Sequence, residues 1–290
     1  MQGPAVSVAG PRAADGFVTL RAGPCFVQTE ARFESAVRGL GLLEPGGLSG
    51  LITRGGGPLG RTDNVVLELD ALDVRLHVRP LRHGGWLATL PGKRLFRIAR
   101  PLEELRVHRA LHDQGAPVPA PAFVVAERGL GPWWIAAFAT VHEERAPDAA
   151  AFLTTRPAPE RVDAAAAAAG RALRLFHDLG ARHRDLHVKN LLVRESPDSV
   201  EIVIIDLDRA RLTGAPSPAE RMAEIMRLQR SLVKRNLIPT SRSRAGKIFL
   251  EAYCAGDGGL RRGLESRMLH ERRRLAFHRL GYRWSVRHPG

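Results

Sequence analysis

The residues best suited to chemistry lie in His183-Arg-Asp-Leu-His-Val-Lys-Asn190 and in Ile205-Asp-Leu-Asp208, whose Asp206 follows Asn190 by sixteen positions. Transfer of a phosphoryl group from ATP needs one carboxylate beside the attacking hydroxyl, and oxygen ligands that hold magnesium between the phosphate oxygens. Asp185 can supply the first, Asn190 and Asp206 the second. Asn190 follows Asp185 by five positions, so one loop can present both side chains. Asp206 directly follows the apolar run Ile202–Ile205, which would fix it at the end of a strand. The bland alternative is that Asp185 and Asn190 cap turns and Asp206 closes a strand.

The elements around these residues argue for the chemistry. From Gly50 to Val78 the chain shows three short strand-like runs, Leu51–Thr53, Val65–Leu69 and Val74–Val78. The first two are separated by Arg54-Gly-Gly-Gly-Pro-Leu-Gly60, where Gly55, Gly56 and Gly57 could lay backbone amides over phosphates or simply turn a hairpin. In the third run Val74, Leu76 and Val78 alternate with Arg75, His77 and Arg79, which predicts one apolar and one basic face. A helix is expected from Pro101 to Gly115. Residues 1–28 show no clear period, and Thr29 reads as the cap of a helix carrying Phe33, Val37 and Leu40. Downstream, strands are expected at Phe123–Ala126 and Trp133–Phe138, and a helix over 161–179 closed by Gly180. Short strands Leu191–Val193 and Ile202–Ile205 follow, then a helix opened by the capping box Ser217-Pro-Ala-Glu220 and running to about Arg235. Further helices are expected at Ser243–Cys254 and Gly259–Leu275.

Composition sets the bounds. With 290 residues, 44% hydrophobic and 26% charged, the chain is long enough for one large domain or two modest lobes, and its composition is not that of a disordered, collagenous or coiled-coil protein. No apolar run reaches the length of a membrane span, the longest being Trp133–Val141, and the N-terminus lacks a signal-peptide pattern. The expectation is a protein without transmembrane segment or signal peptide. Cys25 and Cys254 cannot form a disulfide framework and read as buried thiols. The net charge of +14 is concentrated in residues 221–290, which hold 17 of the 44 basic side chains and 5 of the 30 acidic ones. Such a block attracts phosphates without naming their carrier.

The spacing of Asp185, Asn190 and Asp206 resembles the catalytic and metal-binding loops of the protein-kinase-like fold. That fold places a Lys on its third strand, but no Lys precedes Lys93 here, so an Arg must serve; Arg79 is chosen over Arg75 and Arg82. Its acidic partner should lie on the following helix, and Glu104 is favoured over Glu103. More narrowly, five segments are similar to the lipopolysaccharide core kinase family, and within it to the Kdo kinase branch: Arg79–Gly85, Glu104 with Gly115–Pro121, Phe176–Gly180, His183–Asn190 and Ile205–Arg209. Arg227-Leu-Gln-Arg-Ser-Leu-Val-Lys234 is similar to that branch's helix after the metal motif. The resemblance covers about residues 50–236. Leu207 stands where the family usually has Phe, and Pro80 falls inside the strand motif.

The resemblance implies an α+β, bilobal protein-kinase-like fold, with an antiparallel-sheet N-lobe and a mainly helical C-lobe. Residues 1–49 would be a lead-in, 50–140 the N-lobe and 141–290 the C-lobe. It implies an ATP- and Mg2+-dependent kinase acting on a Kdo sugar hydroxyl of a Kdo-lipid A glycolipid acceptor, peripheral on the cytoplasmic face of the inner membrane. Asp185 matches the catalytic base, Asn190 and Asp206 the magnesium ligands, and Arg79 with Glu104 the phosphate-holding pair. About ten residues separate Asp206 from the helix near Ser217, too few for a peptide-docking activation segment, so a small acceptor fits better. Arg209, Arg211, Arg230 and Lys234 are expected to line a basic pocket for its acidic groups. The basic tail would meet an anionic inner-membrane surface, and no nucleic-acid partner is expected. Another kinase of this fold, and a non-catalytic binding protein using the basic block, are the competing readings.

Overall fold

The computed structural model describes residues 16–54, 64–81, 98–129, 133–208, 210–237 and 243–268. The chain divides into two compact units, Met1–Glu144 and Arg145–Gly290. In the first, strands β1 (Phe17–Ala22), β2 (Cys25–Glu30), β3 (Val65–Leu69), β4 (Val74–Pro80), β5 (Pro121–Arg128) and β6 (Trp134–Val141) form one sheet in the order β1-β2-β5-β6-β4-β3. Every pairing is antiparallel. Helices α1 (Glu34–Gly39), α2 (Gly47–Arg54) and α3 (Ala99–Asp113) complete the unit.

Successive side chains of a strand point to opposite faces, so a sheet covered on both sides builds two cores. Val27, Phe123, Val125, Ala137 and Ala139 enter one with Val37 of α1 and Leu48 and Leu51 of α2. Phe26, Val124, Ala126, Ala136 and Phe138 enter the other with Leu105 of α3. Each fully buried Leu or Phe contributes roughly 1.5–3 kcal/mol.

Three sequence expectations fail in this unit, each for a physical reason. Residues 17–30, expected as a lead-in, instead form a hairpin and pair with β5, so the N-terminal segment is part of the sheet. The β2 residues are buried on both faces, which leaves no polar alternation to read. Gly23, with φ +52°, precedes Pro24 in the two-residue turn and takes a conformation that a side chain would disfavour. Thr29 therefore lies in β2 and caps no helix; the helical segment starts with a 3-10 turn at Ala31–Phe33. The Leu51–Thr53 run, expected as a strand, belongs to α2, where Leu48 and Leu51, three apart, face the core while Ser49 and Thr53 are exposed.

The second unit is mainly helical. Its elements are α4 (Ala149–Thr154), α5 (Pro159–Asp178), β7 (Ala181–Arg182), β8 (Leu191–Glu195), β9 (Val200–Ile204), β10 (Arg211–Leu212), α6 (Pro218–Lys234) and α7 (Arg244–Cys254), with residues 258–268 also helical. β8 and β9 form a hairpin, and β7 pairs with β10. The capping box at α6 is present: Ser217 accepts from the Glu220 backbone, and the Glu220 carboxylate accepts from the Ser217 N–H at 2.9 Å. Gly180, at φ +81°, ends α5 in the left-handed conformation. Cys25 and Cys254 are buried, free thiols.

Candidate active site

The loop from His183 to Asn190 leaves β7 and enters β8, and a set of hydrogen bonds brings its two ends to the end of β9. The Ile205 N–H donates to the Asn190 carbonyl at 2.9 Å, and the buried His183 ring contacts the Ile205 carbonyl through Nε2 at 3.0 Å. Asp206 is the next residue. It sits at φ +62°, a left-handed conformation that non-glycine residues adopt rarely and Asp tolerates better than most. The Asn190 amide Nδ2 donates to the Asp185 carbonyl at 3.0 Å, so the two sequence-predicted residues of this loop are in direct contact. That bond occupies the nitrogen of the amide and leaves Oδ1 to act as a ligand. Asp185 is exposed, Asn190 is buried, and Leu207 behind them is buried.

Asn190 and Asp206 thus offer an amide oxygen and a carboxylate, a donor set that suits magnesium, a hard cation that binds few protein oxygens and keeps several waters. Among the described residues no group of three His, Cys, Asp or Glu side chains could share a metal ion.

The loop is held from below by a buried network that the sequence did not disclose. Glu224 of α6, fully buried, accepts from the His183 N–H at 2.9 Å and lies 3.2 Å from His177 Nε2. His177 Nδ1 is 2.6 Å from the Tyr253 hydroxyl, which Arg221 approaches at 3.2 Å. Arg221 in turn donates to Asp178 at 2.8 Å. The donors fix the order of protons. Arg221 donates to Tyr253, Tyr253 to His177 Nδ1, and the Nε2–H of a neutral imidazole to Glu224. Burial lowers the His177 pKa and so favours that neutral form, while the Glu224 carboxyl is held below its ordinary value despite burial, by the hydrogen bonds from His177 and the His183 amide. Phe176–Gly180 carried a family resemblance; Glu224 and Tyr253 carried no local signal, because their partners lie 41 and 76 residues away.

In the first unit, Arg79 of β4 places a guanidinium nitrogen 2.5 Å from Glu104 of α3, whose side chain is 4% exposed. Arg75 instead meets Glu68 at 3.1 Å and Glu144 at 3.6 Å near the surface, and Glu103 meets Arg106 at 3.6 Å. Arg82 and the glycines Gly55, Gly56 and Gly57 lie outside the described residues. One turn beyond Glu104, His108 is fully buried, bonds the Pro119 carbonyl through Nε2 at 2.7 Å and stacks on Phe138. Burial drives its pKa from 6.5 down to about 4, with smaller contributions from the charges of His112 and Arg79. Because the folded value lies below the unfolded one, the unfolded chain binds a proton first as pH falls. The stabilisation is complete above pH 6.5 and is lost down to pH 4, by about 3 kcal/mol in total. Denaturant titrations across this window should show that slope in the parent and a flatter one in His108→Gln, which keeps an N–H donor for Pro119; equal slopes would refute it.

The remaining expected site residues are spread along the second unit. Arg211 is exposed in β10, Arg230 and Lys234 are exposed on α6 one turn apart, and Arg209 lies outside the described residues, as does the tail after residue 268. Among the described residues none of Arg211, Arg230 and Lys234 has a carboxylate partner.

With this geometry in view, likeness to known proteins is informative. A family model described as Lipopolysaccharide kinase (Kdo/WaaP) family matches residues 78–253, more than half of the chain. The 3-deoxy-D-manno-octulosonic acid kinase of Haemophilus influenzae is 29% identical over 136 residues, 47% of this chain and 54% of that protein. The enzyme of the same name from Actinobacillus succinogenes is 31% identical over 136 residues, with the same shares. The chain spans about half the length of the curated relatives it matches. The solved structure of WaaP in complex with acyl carrier protein matches with a TM-score of 0.52 at 19% identity, covering 81% of this chain and 95% of that one, which establishes the α+β kinase fold. By the reach of the family match, this chain belongs to the lipopolysaccharide kinase (Kdo/WaaP) family.

Proposed function

We propose that the protein is a kinase that transfers the γ-phosphoryl group of ATP to a hydroxyl of a Kdo sugar on lipid A, in lipopolysaccharide core biosynthesis. The observation that carries this reading is the coupling of Asp185, Asn190 and Asp206 through the Asn190–Asp185 and Ile205–Asn190 hydrogen bonds. The names of the relatives supply the acceptor. Asp185 orients the acceptor hydroxyl and takes its proton as the new P–O bond forms and the bond from the γ-phosphorus to the bridging oxygen breaks, with ADP as the leaving group. Asn190 Oδ1 and the Asp206 carboxylate would hold magnesium, which offsets negative charge on the phosphate oxygens. Arg79, anchored by Glu104, pairs with the ATP phosphates. Arg230 and Lys234, with Arg209 and Arg211, bind acidic groups of the acceptor. No described helix is long and apolar enough to cross a membrane. The reading places the enzyme at the cytoplasmic face of the inner membrane, where its acceptor is embedded, through the basic C-terminal block.

The test is phosphate transfer from labelled ATP to Kdo-lipid A, run beside a lipid A lacking Kdo and a generic protein substrate. Label on the Kdo-bearing lipid alone is the expected result. Label on another acceptor keeps the kinase and removes the Kdo assignment, and ATP-independent lipid binding without transfer would refute the enzyme.

A further inference from the structure

We propose that one stripe of α6, formed by Glu224, Arg227 and Ser231, is a template for the backbone around Asp185, and that Arg227 and Ser231 are positioning residues for that carboxylate. The three side chains stand at i, i+3 and i+7, which places them on one face of a helix. Each meets a different backbone group of the loop. Glu224 accepts from the His183 N–H at 2.9 Å, the Arg227 guanidinium donates to the Arg184 carbonyl, and Ser231 Oγ accepts from the Val188 N–H at 2.9 Å. Ser231 also donates to the Leu228 carbonyl at 2.7 Å, which turns its lone pairs toward Val188.

These contacts bracket Asp185. The carbonyl that precedes it is taken by Arg227 from α6, and its own carbonyl is taken by Asn190 Nδ2 from within the loop. With the peptide groups on both sides of its Cα held, Asp185 is left with side-chain rotation alone, although its carboxylate is exposed. A displacement of about 1 Å at a reacting group can cost about a hundredfold in rate, so a clamp on the backbone matters most where the side chain itself has no packing to hold it. This accounts for Arg227 and Ser231 in a segment whose family resemblance carried no chemistry of its own. Arg230 and Lys234, both exposed, make no bond to the loop backbone among the described residues and remain with the acceptor.

The inference rests on the kinase reading of Asp185, and two independent readouts separate their fates. Arg227→Ala and Ser231→Ala are made in the full chain and followed by amide hydrogen–deuterium exchange over residues 183–190 and by kinetics with ATP and Kdo-lipid A. Exchange in that loop should rise about tenfold or more while β8 and β9 stay as in the parent. Turnover should fall about 10- to 100-fold with KM for ATP within about twofold. Arg227→Lys, which keeps a donor for the Arg184 carbonyl, should recover most of the turnover. Unchanged loop exchange in both variants overturns the template, as does a raised acceptor KM with intact turnover, which would make Arg227 an acceptor-binding cation. If the parent transfers no phosphate, exchange alone decides: a response in the loop keeps the template and retires the kinase reading.

Discussion

Asp185→Ala should lower phosphoryl transfer by roughly 10²- to 10⁴-fold while leaving the fold intact. The size follows from the role of a positioned base, whose removal leaves only water to accept the hydroxyl proton. The specificity follows from the structure. Among the described residues the Asp185 carboxylate makes no hydrogen bond or ion pair, and the contacts that shape its loop run through backbone groups and through Asn190, His183 and Glu224. Losing the carboxylate therefore removes no structural bond, and the thermal midpoint should stay within a degree or two of the parent. Asp185→Asn, of the same shape, should fall nearly as far, because an amide cannot accept the proton at neutral pH. Single-turnover rates at saturating ATP would show it. A loss below about tenfold would mean that proton removal is not assisted by this residue, and a matching fall in thermal midpoint would assign the effect to folding.

The largest effect on stability is expected at Gly170, in the middle of α5 where α7 crosses. A Cβ at this position would lie 2.4 Å from the Phe249 carbonyl and 2.9 Å from the Tyr253 amide nitrogen, both backbone atoms that no rotamer change can move. Alanine favours a helix over glycine by about 1 kcal/mol, so the sign is decided by the clash. Overpacking of a tight core costs typically 1–3 kcal/mol and sometimes more. Here it also draws Tyr253 away from His177 and Arg221, loosening bonds of 2.6 and 3.2 Å. Gly170→Ala should therefore destabilise the second unit by about 2 kcal/mol, and Gly170→Val, with two further methyl groups, by more than 3 kcal/mol. Equilibrium denaturation followed by tryptophan-independent signals such as far-ultraviolet circular dichroism would measure both. Gain of stability in the alanine variant would show that the helices can separate without loss. The run Ala164–Ala169, read from sequence as helix-favouring filler, adjoins this crossing; the small side chains match a helix packed at close range.

Local patterns carried much of the molecule. The alternation of Val74, Leu76 and Val78 with Arg75, His77 and Arg79 described β4, the capping box Ser217–Glu220 marked the start of α6, and Gly180 the end of α5. Each of these signals is complete within a few residues, because strand period, cap and left-handed turn are short-range properties of the backbone. The spacing of Asp185, Asn190 and Asp206 was legible for the same reason: a loop and an adjacent hairpin position all three.

The fold class, the family and the candidate residues for phosphoryl transfer are therefore legible in the amino-acid sequence. The tertiary structure alone decided which partners those residues have. Arg75 and Arg79 share one face of the strand; the kinase pattern selected Arg79 with Glu104, and the packing of α3 brings that pair to 2.5 Å while Arg75 meets Glu68 and Glu144. Strand β2 is buried along its whole length, its Gln28, Thr29 and Glu30 included, so the alternation by which a strand is recognised is missing there. Glu224, Arg227 and Ser231 carry a helical period like any other polar residues of α6. That this stripe meets the loop around Asp185 depends on how α6 packs, between groups about 40 residues apart, and no local pattern encodes a contact of that range.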